Sequence, residues 1–464
     1  MSVADLWILM PLLLPAIGAL LALLLGAISP GRAATQIAVV ALLATALWSL
    51  QAPPLAVAPQ LGIAATPLAR LFSVFFSLMG AAVLLVSVSY NDLRGIRGEE
   101  YPATVLFGVF GMVALASATN LLVLFLGLEA MTFAFYILVA MDLGRESSAE
   151  AGMKYLLPGA LSAAFLAFGI ALLYTVTGSL ELAAALRGGG GSLLALAGWG
   201  FLLIGVAFKM SLVPAHLWTP DVYQGAPTPV VALLSGGSKG AAILLLLMLL
   251  PLAGDITFLS APLRLLSLLS MVVGNLAALL QSRVKRMLAY SSIGQMGYVV
   301  LALVGGGAGG YRAAAFYAVA YGVMSLAAFA ALAALEPPGR GELLQEYRGA
   351  GKARPLAAGV LCLALFALAG IPPTAGFTGK FLIFTAAIRG GEIPLAVIGI
   401  LTAAVSAYYY LRVVVVLFMQ DPPETEFPAT SATMAGVLAA ASTCILFLGL
   451  FPSHLLDLLK PIFP

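Results

Sequence analysis

The sequence predicts an all-α polytopic membrane protein, and three observations lead to that fold class. Of the 464 residues, 62% are apolar and 9% are charged, whereas soluble domains carry about 25% charged residues. Many stretches reach the length of about 20 apolar residues that a membrane-spanning helix needs. Runs such as ILLLLMLL at 243–250 do not alternate apolar with polar residues, which argues against a membrane β-barrel.

Composition also excludes several classes of function. The net charge of +3 is small for a chain of this length, so the sequence offers no basic surface for nucleic acid. The two cysteines, Cys362 and Cys444, lie in separate apolar segments and lack the clustered spacing of metal or iron–sulfur ligands. We therefore expect packing roles for both thiols and no metal site in this chain.

Apolar stretches of membrane-spanning length predict about fourteen helices. The first of them has no Lys or Arg ahead of it and is too long for a signal-peptide core, so we expect a membrane helix there. We expect the seventh helix to be broken and to continue into 215–224, and the twelfth helix to be interrupted from Gly370 to Gly376. The fourteen lie near residues 3–26, 33–50, 66–90, 102–119, 121–141, 150–175, 193–213, 228–250, 262–282, 286–304, 311–335, 355–388, 393–419 and 430–451.

The distribution of basic loop residues predicts the orientation, because cytoplasmic loops carry an excess of Lys and Arg. With the N-terminus outside, twelve basic residues fall in cytoplasmic loops: Arg32, Arg94, Arg97, Arg145, Arg283, Lys285, Arg286, Arg340, Arg348, Lys352, Arg354 and Arg412. Six fall on the opposite side: Arg70, Arg187, Arg264, Arg312, Arg389 and Lys460. We therefore expect both termini on the periplasmic side.

The four remaining lysines lie inside membrane segments, and they are the most informative feature of the sequence. They are Lys154, Lys209, Lys239 and Lys380, and Glu129 joins them as an embedded carboxylate. A lysine at the bilayer centre costs about 2.5 to 3.5 kcal/mol on insertion scales, so intramembrane charges usually mark an ion or proton pathway. The alternative is that the apolar part of each lysine side chain lies in the membrane while its ammonium group reaches the membrane–water interface. This alternative is strongest for Lys154, which lies near the start of its helix.

Helix breakers and small residues surround these lysines. Pro214 follows Lys209 closely, while Pro372 and Pro373 precede Lys380, and proline removes a backbone donor and clashes with the preceding turn. Lys239 lies in SGGSKGAA, where small side chains admit a helix or water close to the backbone. Broken helices at membrane depth are the usual place of transport sites.

The two breaks are separated by about 160 residues, and weak similarities at the same offset predict an internal repeat. At this offset LEAMTFAFY at 128–136 corresponds to LAYSSIGQM at 288–296, and Phe316 lies roughly at the position in the second unit that corresponds to Lys154. Because each unit has five helices, the second is inverted in the membrane. We expect three N-terminal helices in 1–100, the two units in 101–250 and 260–420, and a loop with a last helix in 421–464.

Several motifs resemble one known family. AFKMSLVPAHLWTPDVYQGAPTPVVALLSGGSKGAA at 207–242 is similar to the antiporter-like subunits of proton-translocating NADH:quinone oxidoreductase, respiratory complex I or its cyanobacterial relative. GLEAMTFAFYIL, VKRMLAYSSIGQMGY and LFALAGIPPTAGFTGKF extend the resemblance over nearly the whole chain. The block HLWTPDVYQGAPTP specifically resembles the subunit N, or ND2, branch.

The resemblance implies a proton relay made of five residues. Glu129 resembles the fifth-helix glutamate, Lys209 the seventh-helix lysine paired with it, and Lys239 the central eighth-helix lysine. Lys380 resembles the twelfth-helix lysine near the exit side, and Lys154 a sixth-helix lysine of this branch. Physically, burial disfavours the ammonium form and a nearby carboxylate favours it, so the separation of Glu129 and Lys209 can switch proton binding.

The resemblance also implies partners and a location. It predicts a bacterial plasma (inner) membrane protein that associates with other membrane-arm and peripheral-arm subunits of complex I. NADH, FMN, iron–sulfur clusters and quinone are then expected in those partner subunits, and this chain itself does no redox chemistry. Three rival functions remain open: a subunit of a cation/proton antiporter, a subunit of a membrane-bound hydrogenase, and a membrane anchor whose charges serve assembly.

Four hydroxyl residues are candidates for ordering water between the lysines, namely Ser238, Tyr298, Tyr321 and Thr378. His216 is open between two interpretations, a member of the relay or a residue that caps the broken helix. Asp221 is likewise open between carrying protons and bracing the short helix that follows the break.

Overall fold

The computed structural model describes residues 3–28, 32–51, 56–96, 98–187, 192–254, 257–337, 341–421 and 427–464, and most of them are helical. The elements in chain order are α1 (Val3–Ile28), α2 (Ala33–Gln51), β1 (Ala56–Ala58), β2 (Ile63–Ala65), α3 (Pro67–Arg94), α4 (Glu100–Ser117), α5 (Leu121–Val139), α6 (Glu146–Thr177), α7 (Leu182–Arg187), α8 (Leu193–Met210), α9 (Trp218–Gly225), α10 (Thr228–Leu233), α11 (Lys239–Leu249), α12 (Thr257–Leu279), α13 (Val284–Val304), α14 (Gly307–Leu335), α15 (Ala350–Ala353), α16 (Pro355–Ala369), α17 (Ala375–Arg389), α18 (Ile393–Met419), α19 (Ala432–Leu450) and α20 (Ser453–Leu459).

The predicted all-α membrane fold is confirmed. Within the described residues, 13 helical spans are long and apolar enough to cross a membrane, with α10 and α11 forming one of them. The helices α16 and α17 have 15 residues each, and placed end to end they provide one further crossing. This arrangement corresponds to the fourteen helices that the apolar stretches predict.

Both predicted helix breaks are present. Helix α8 ends at Met210, where Ser211 adopts a left-handed conformation with φ 60°, and α9 begins at Trp218. Helix α16 ends at Ala369, where Gly370 has φ 89°, and α17 begins at Ala375. A left-handed residue ends a helix, and the prolines that follow have no backbone N–H with which to continue the helical hydrogen bonds.

The most deeply buried helices lie at the centre and carry the candidate site. Residues 222–247 are all buried, and α13 and α14 are buried over most of their length. Helices α1, α2, α6, α18 and α19 instead direct many apolar side chains outward, as expected of surfaces in contact with lipid. The polar side chains of α10, α11, α13 and α14 therefore lie in the interior of the helix assembly.

Ion pairs and backbone contacts sort the loops onto two faces. On one face, Arg94 pairs with Glu336, and Glu342 pairs with both Arg145 and Arg283. On the other face, Arg264 pairs with Glu392, and residues 62 and 119 are joined through their backbones. These contacts group the loops into two sets, and which set faces the cytoplasm stays a prediction.

Several features of the fold were not expected from the sequence, among them the short helices α7, α15 and α20 and the following three. Residues 56–65 form a short antiparallel hairpin, β1–β2, which turns at Gly62 with φ 66°. Helix α6 begins at Glu146, about one turn before its predicted start. A π-helical turn, Leu234–Ser238, interrupts the eighth span immediately before Lys239, and π-turns occur frequently at functional sites.

Candidate functional site

The first part of the candidate site is the buried pair of Glu129 and Lys209. Glu129 lies in the middle of α5, and Lys209 lies one residue before the end of α8. Lys209 Nζ is 3.0 Å from Glu129 Oε1 and donates to Thr132 Oγ1 at 2.7 Å. The Lys209 side chain is 1% exposed and the Glu129 side chain 12%. The low exposure strengthens the attraction between the two charges, because little water screens them.

Lys239 is bound to the end of the helix that carries Lys209. Its Nζ donates to the backbone carbonyl of Lys209 at 3.1 Å and to Ser211 Oγ. The ring of Trp218 lies 4.8 Å from the same nitrogen, within the range of a cation–π contact. Helix ends carry unpaired carbonyls and a partial negative charge, so a break inside the membrane provides a binding place for an ammonium group.

A group of four buried hydroxyls, which we call the hydroxyl cluster, includes one residue of the turn before Lys239. It contains Ser235 from the π-turn, Ser292 from α13, and Tyr321 and Ser325 from α14. Ser235 Oγ is 2.9 Å from Tyr321 Oη and 3.1 Å from Ser325 Oγ. Tyr321 donates to Ser292 Oγ at 2.7 Å. The cluster therefore joins the turn before Lys239 to two helices of the second half of the chain.

A second polar group continues toward Lys380. Tyr317 donates to Gln295 Oε1 at 2.5 Å, and the amide nitrogen of Gln295 donates to Tyr410 Oη at 3.2 Å. The same nitrogen also donates to the carbonyl of Leu368 at 3.1 Å. That carbonyl accepts a hydrogen bond from Lys380 Nζ at 2.7 Å. Gln295 thus shares an acceptor with the last lysine of the line.

Lys380 binds the second helix break much as Lys239 binds the first. Besides Leu368, its Nζ donates to the carbonyl of Ala369 at 3.1 Å, and both carbonyls belong to the last turn of α16. The ring of Tyr298 lies 5.2 Å from the nitrogen. Among the described residues, no carboxylate forms an ion pair with Lys380. Backbone dipoles and an aromatic ring therefore supply its surroundings.

The structure places Lys154 apart from this buried line. Its side chain is 47% exposed, and its Nζ lies 2.7 Å from Glu150 and 2.9 Å from Asp221. Asp221 also pairs with Arg286 at the start of α13, so it braces α9 between two longer helices. A proton-carrying role for Lys154 stays a prediction, but its position does not connect it to Glu129 or Lys209.

His216 lies in the connection between α8 and α9, so it follows Lys209 in sequence after the end of α8. It is buried, and within the described residues its Nδ1 has no hydrogen-bond partner. Its ring centroid is 6.5 Å from that of Tyr290. Its backbone carbonyl accepts from Thr219 and starts the turn into α9. The residue at the N-cap of α9 is Leu217, so the His216 side chain does not cap this helix, and a role in the relay stays a prediction.

The predicted hydroxyl residues have different positions. Tyr321 belongs to the hydroxyl cluster, and Tyr298 meets Lys380 with its ring while its hydroxyl contacts Asn275 and Thr402. Thr378 donates to the carbonyl of Gly449, at the end of α19, and therefore faces away from the line. Ser238 is buried beside Lys239 in the π-turn.

Several members of the site were not singled out from the sequence. They are Thr132, Ser211, Trp218, Ser235, Ser292, Gln295 and Tyr317. A signal for part of this set exists in YSSIGQMGY at 290–298, where polar residues recur three positions apart on one face of a helix. Lys285 was assigned to a loop, whereas the structure buries it and directs its Nζ to the carbonyl of Ala226 at 2.9 Å.

The chemistry available to this arrangement is proton transfer. Ammonium groups, a carboxylate and hydroxyls can exchange protons, whereas an amide such as Gln295 mainly orders its neighbours. Within the described part of the chain, no group of three His, Cys, Asp or Glu side chains is placed to hold a metal ion. The line of polar side chains runs from Glu129 across the interior to Lys380.

A family model and known proteins match this chain over most of its length. Residues 118–406 match the family described as NADH:quinone oxidoreductase/Mrp antiporter, transmembrane. NADH-quinone oxidoreductase subunit N of Geotalea uraniireducens is 60% identical over 468 residues, covering 100% of each chain.

Solved structures show the same fold. A chain of respiratory complex I from Thermus thermophilus, in a structure with bound aureothin, superposes with a TM-score of 0.84 and 36% identity, covering 96% of this chain and 98% of that one. A chain of the archaeal membrane-bound sulfane sulfur reductase superposes with a TM-score of 0.89 and 26% identity, covering 100% and 97%. The fold is therefore shared by chains of two respiratory membrane complexes.

Proposed function

This chain belongs to the NADH:quinone oxidoreductase/Mrp antiporter family, as a subunit N of the oxidoreductase, and we propose that Glu129, Lys209, Lys239 and Lys380 carry its protons. It is an antiporter-like, proton-translocating membrane subunit of a bacterial enzyme complex. The proposal concerns the route that the protons take through the chain.

One observation carries the proposal, namely that Lys239 and Lys380 each bind the end of a broken helix and that buried polar side chains lie between them. Lys239 contacts the carbonyl of Lys209, and Lys380 shares the carbonyl of Leu368 with Gln295. Two intervals lack a direct hydrogen bond among the described residues. One separates Lys239 from the hydroxyl cluster, whose nearest member in sequence is Ser235 on the preceding turn. The other separates the cluster from Gln295 and corresponds to about one helical turn on α13 and α14.

In the proposed mechanism, Glu129 controls proton binding by Lys209. While the carboxylate stays 3.0 Å away, it stabilises the ammonium form. When the two separate, burial disfavours the charge and Lys209 releases a proton toward Lys239 and the hydroxyl cluster. Moving one charge through the membrane potential requires about 2.3 kcal/mol per 100 mV, and each tenfold change in proton affinity corresponds to about 1.4 kcal/mol. A change of a few factors of ten in the proton affinity of Lys209 is therefore large enough to move a proton against the membrane potential.

We also propose that the chain contains two inverted five-helix units, within 101–250 and 260–420. The order α4, α5, α6, α8–α9, α10–α11 is followed by α12, α13, α14, α16–α17, α18, and the fourth member is broken in both sets. With five crossings each, the two units have opposite orientations. Residues 1–100 and 421–464 then contribute the flanking helices.

Further parts of the proposal concern location and partners. We place both termini on the periplasmic side, because the face that carries Arg94, Arg145 and Arg283 is the more basic one. Partner subunits in the membrane and peripheral arms then hold NADH, FMN, iron–sulfur clusters and quinone. This chain contributes no electron transfer and takes energy from those partners through conformational or electrostatic coupling.

The test of the relay is Lys239→Ala in the assembled complex, measured in inverted membrane vesicles. We expect NADH-driven quinone reduction and proton pumping to fall together, normalised to assembled complex. Lys352→Ala is the matched control, because that lysine is exposed and pairs with Asp421 outside the membrane interior. Pumping at the wild-type rate in the Lys239 variant would remove Lys239 from the route.

A further inference from the structure

A cavity of about 500 Å³ lies where the ends of α1 and α3 meet the starts of α2 and α4, on the face that carries Arg94. Its described lining residues come from these four helices and from the connections between them. The four residues of the proposed proton route are not among them. The cavity is therefore separate from the buried line of lysines.

One wall of the cavity changes from apolar to polar along α3. Leu84 and Val88 lie four residues apart on one face of this helix, and Asn91 and Asp92 follow about one turn later. At 1.5 Å per residue, this row of side chains extends for about 10 Å along the helix axis. Because α3 is a membrane span that ends at Arg94, the polar end of the row lies near the membrane surface. The cavity therefore has the shape and polarity of an amphipathic molecule.

The polar end of the cavity contains a buried side chain without a partner. Asn91 is 9% exposed, and within the described part of the chain its carboxamide oxygen has no hydrogen-bond partner. The hydroxyls of Ser87 and Tyr101, which also line the cavity, instead bond each other at 2.7 Å. A carboxamide offers both a donor and an acceptor, and leaving a buried polar group unpaired is costly. We therefore expect Asn91 to meet a ligand in this cavity.

The charges around Asn91 are of both signs, with more acid than base. Arg32, just before α2, pairs with Asp92 at 3.1 Å, and the two side chains are 72% and 62% exposed. Glu99 also lines the cavity, and among the described residues it forms no ion pair. A ligand that balances this set carries an ammonium group for the carboxylates and an acidic group, such as phosphate, for the guanidinium.

We propose that this cavity binds a phosphoethanolamine group, the headgroup of the membrane lipid phosphatidylethanolamine. The ammonium donates to Glu99 and to the carboxamide oxygen of Asn91, Arg32 binds the phosphate, and the first part of an acyl chain lies beside Leu84 and Val88. A primary ammonium has three N–H donors. The quaternary ammonium of phosphatidylcholine has none, and phosphatidylglycerol has no positive group. The site therefore selects a phospholipid by its headgroup, and the inference is independent of the proton route.

The test uses the detergent-solubilised, delipidated complex and a phosphatidylethanolamine with a photoactivatable diazirine in its acyl chain. Mass spectrometry of the digested complex measures labelling within residues 84–102. We expect unlabelled dioleoyl phosphatidylethanolamine to compete about tenfold better than phosphatidylcholine or phosphatidylglycerol with the same chains. Equal competition by the three lipids would overturn the inference, and so would an absence of labelling, which would mean that a partner subunit covers the cavity. Equally strong competition by free phosphoethanolamine would overturn the assignment to a lipid.

Two variants test the residues of the site. Glu99→Gln should weaken labelling about tenfold, because one charge-assisted hydrogen bond is lost. Glu100→Gln is the matched control, since this neighbouring carboxylate is exposed and is not among the lining residues. If Glu99→Gln assembles poorly, Asn91→Leu removes the unpaired amide at similar volume. We expect it to weaken labelling while the unfolding temperature of the delipidated complex does not fall. Wild-type labelling in both site variants would contradict the assignment.

Discussion

Lys239 Nζ donates a hydrogen bond to the backbone carbonyl of Lys209, at 3.1 Å, so one buried lysine binds the end of the helix that carries the other. The side chain of Lys209 points instead to Glu129 and Thr132. A change in the Glu129–Lys209 contact that shifts the end of α8 therefore alters a ligand of Lys239 directly. The two lysines are coupled through the backbone of the break and not through contact between two like charges.

We expect Glu129 and Lys209 to act as one functional unit. Glu129→Gln and Lys209→Ala should each impair pumping, and the double variant should fall no more than about twofold below the weaker single variant, because the first change already disables the switch. The measurement is pumping per assembled complex, since an unpaired buried charge also destabilises the fold. Strictly multiplicative losses in fully assembled enzyme would show that the two residues work independently.

Substitutions of Ser211 should separate its hydroxyl from its backbone conformation. Ser211 has φ 60°, its hydroxyl contacts Lys239, and a left-handed residue other than glycine costs about 1 to 2 kcal/mol. Both Ser211→Gly and Ser211→Ala remove the hydroxyl, so both should lower pumping, by about two- to tenfold for one hydrogen bond. Ser211→Gly should be the more stable of the two by about 1 kcal/mol, as measured by thermal unfolding. Wild-type pumping by the glycine variant would show that Lys239 does not need this hydroxyl.

The second break depends on the absence of a side chain at Gly376. A Cβ there would lie 1.7 Å from the carbonyl oxygen of Ala367, a backbone atom that cannot move without shifting the end of α16. We therefore expect Gly376→Ala to reduce the amount of assembled complex severely. Gly359→Ala is the control, because a Cβ at Gly359 meets no neighbour within 4 Å and alanine favours a helix by about 0.5 to 1 kcal/mol. Assembly is measured on native gels, and equal amounts for the two variants would contradict this account.

Cysteine labelling should establish the orientation. In a variant with Cys362 and Cys444 replaced by alanine, we expect Arg348→Cys to react with a membrane-impermeant maleimide only after permeabilisation, because the more basic face is cytoplasmic. Lys460→Cys should react in intact cells. Both positions are exposed, so accessibility on either face is not limited by burial. The reverse pattern would invert the proposed topology.

Much of the fold follows from the sequence because the bilayer imposes simple rules. Hydrocarbon requires helices of about 20 apolar residues, and proline cannot continue a helical ladder, so the spans and both breaks are predictable. The hairpin at 56–65 escaped prediction because its three-residue strands carry too few residues to show a pattern. The π-turn before Lys239 escaped because the sequence SGGSKG is equally compatible with a regular helix.

The sequence by itself determined which charges lie within membrane-spanning stretches, because Glu129, Lys209, Lys239 and Lys380 lie inside apolar stretches regardless of how the helices pack. Only the tertiary structure decided which groups meet them. Lys239 and Lys380 bind backbone carbonyls of helix ends, and Lys154, inside an apolar stretch of the same kind, lies at the surface beside Asp221. The physical reason is that hydrophobicity depends on each residue separately. A hydrogen bond between residues about 70 to 120 positions apart in sequence, such as Ser235 and Tyr321, exists only once packing sets the relative rotation of two helices.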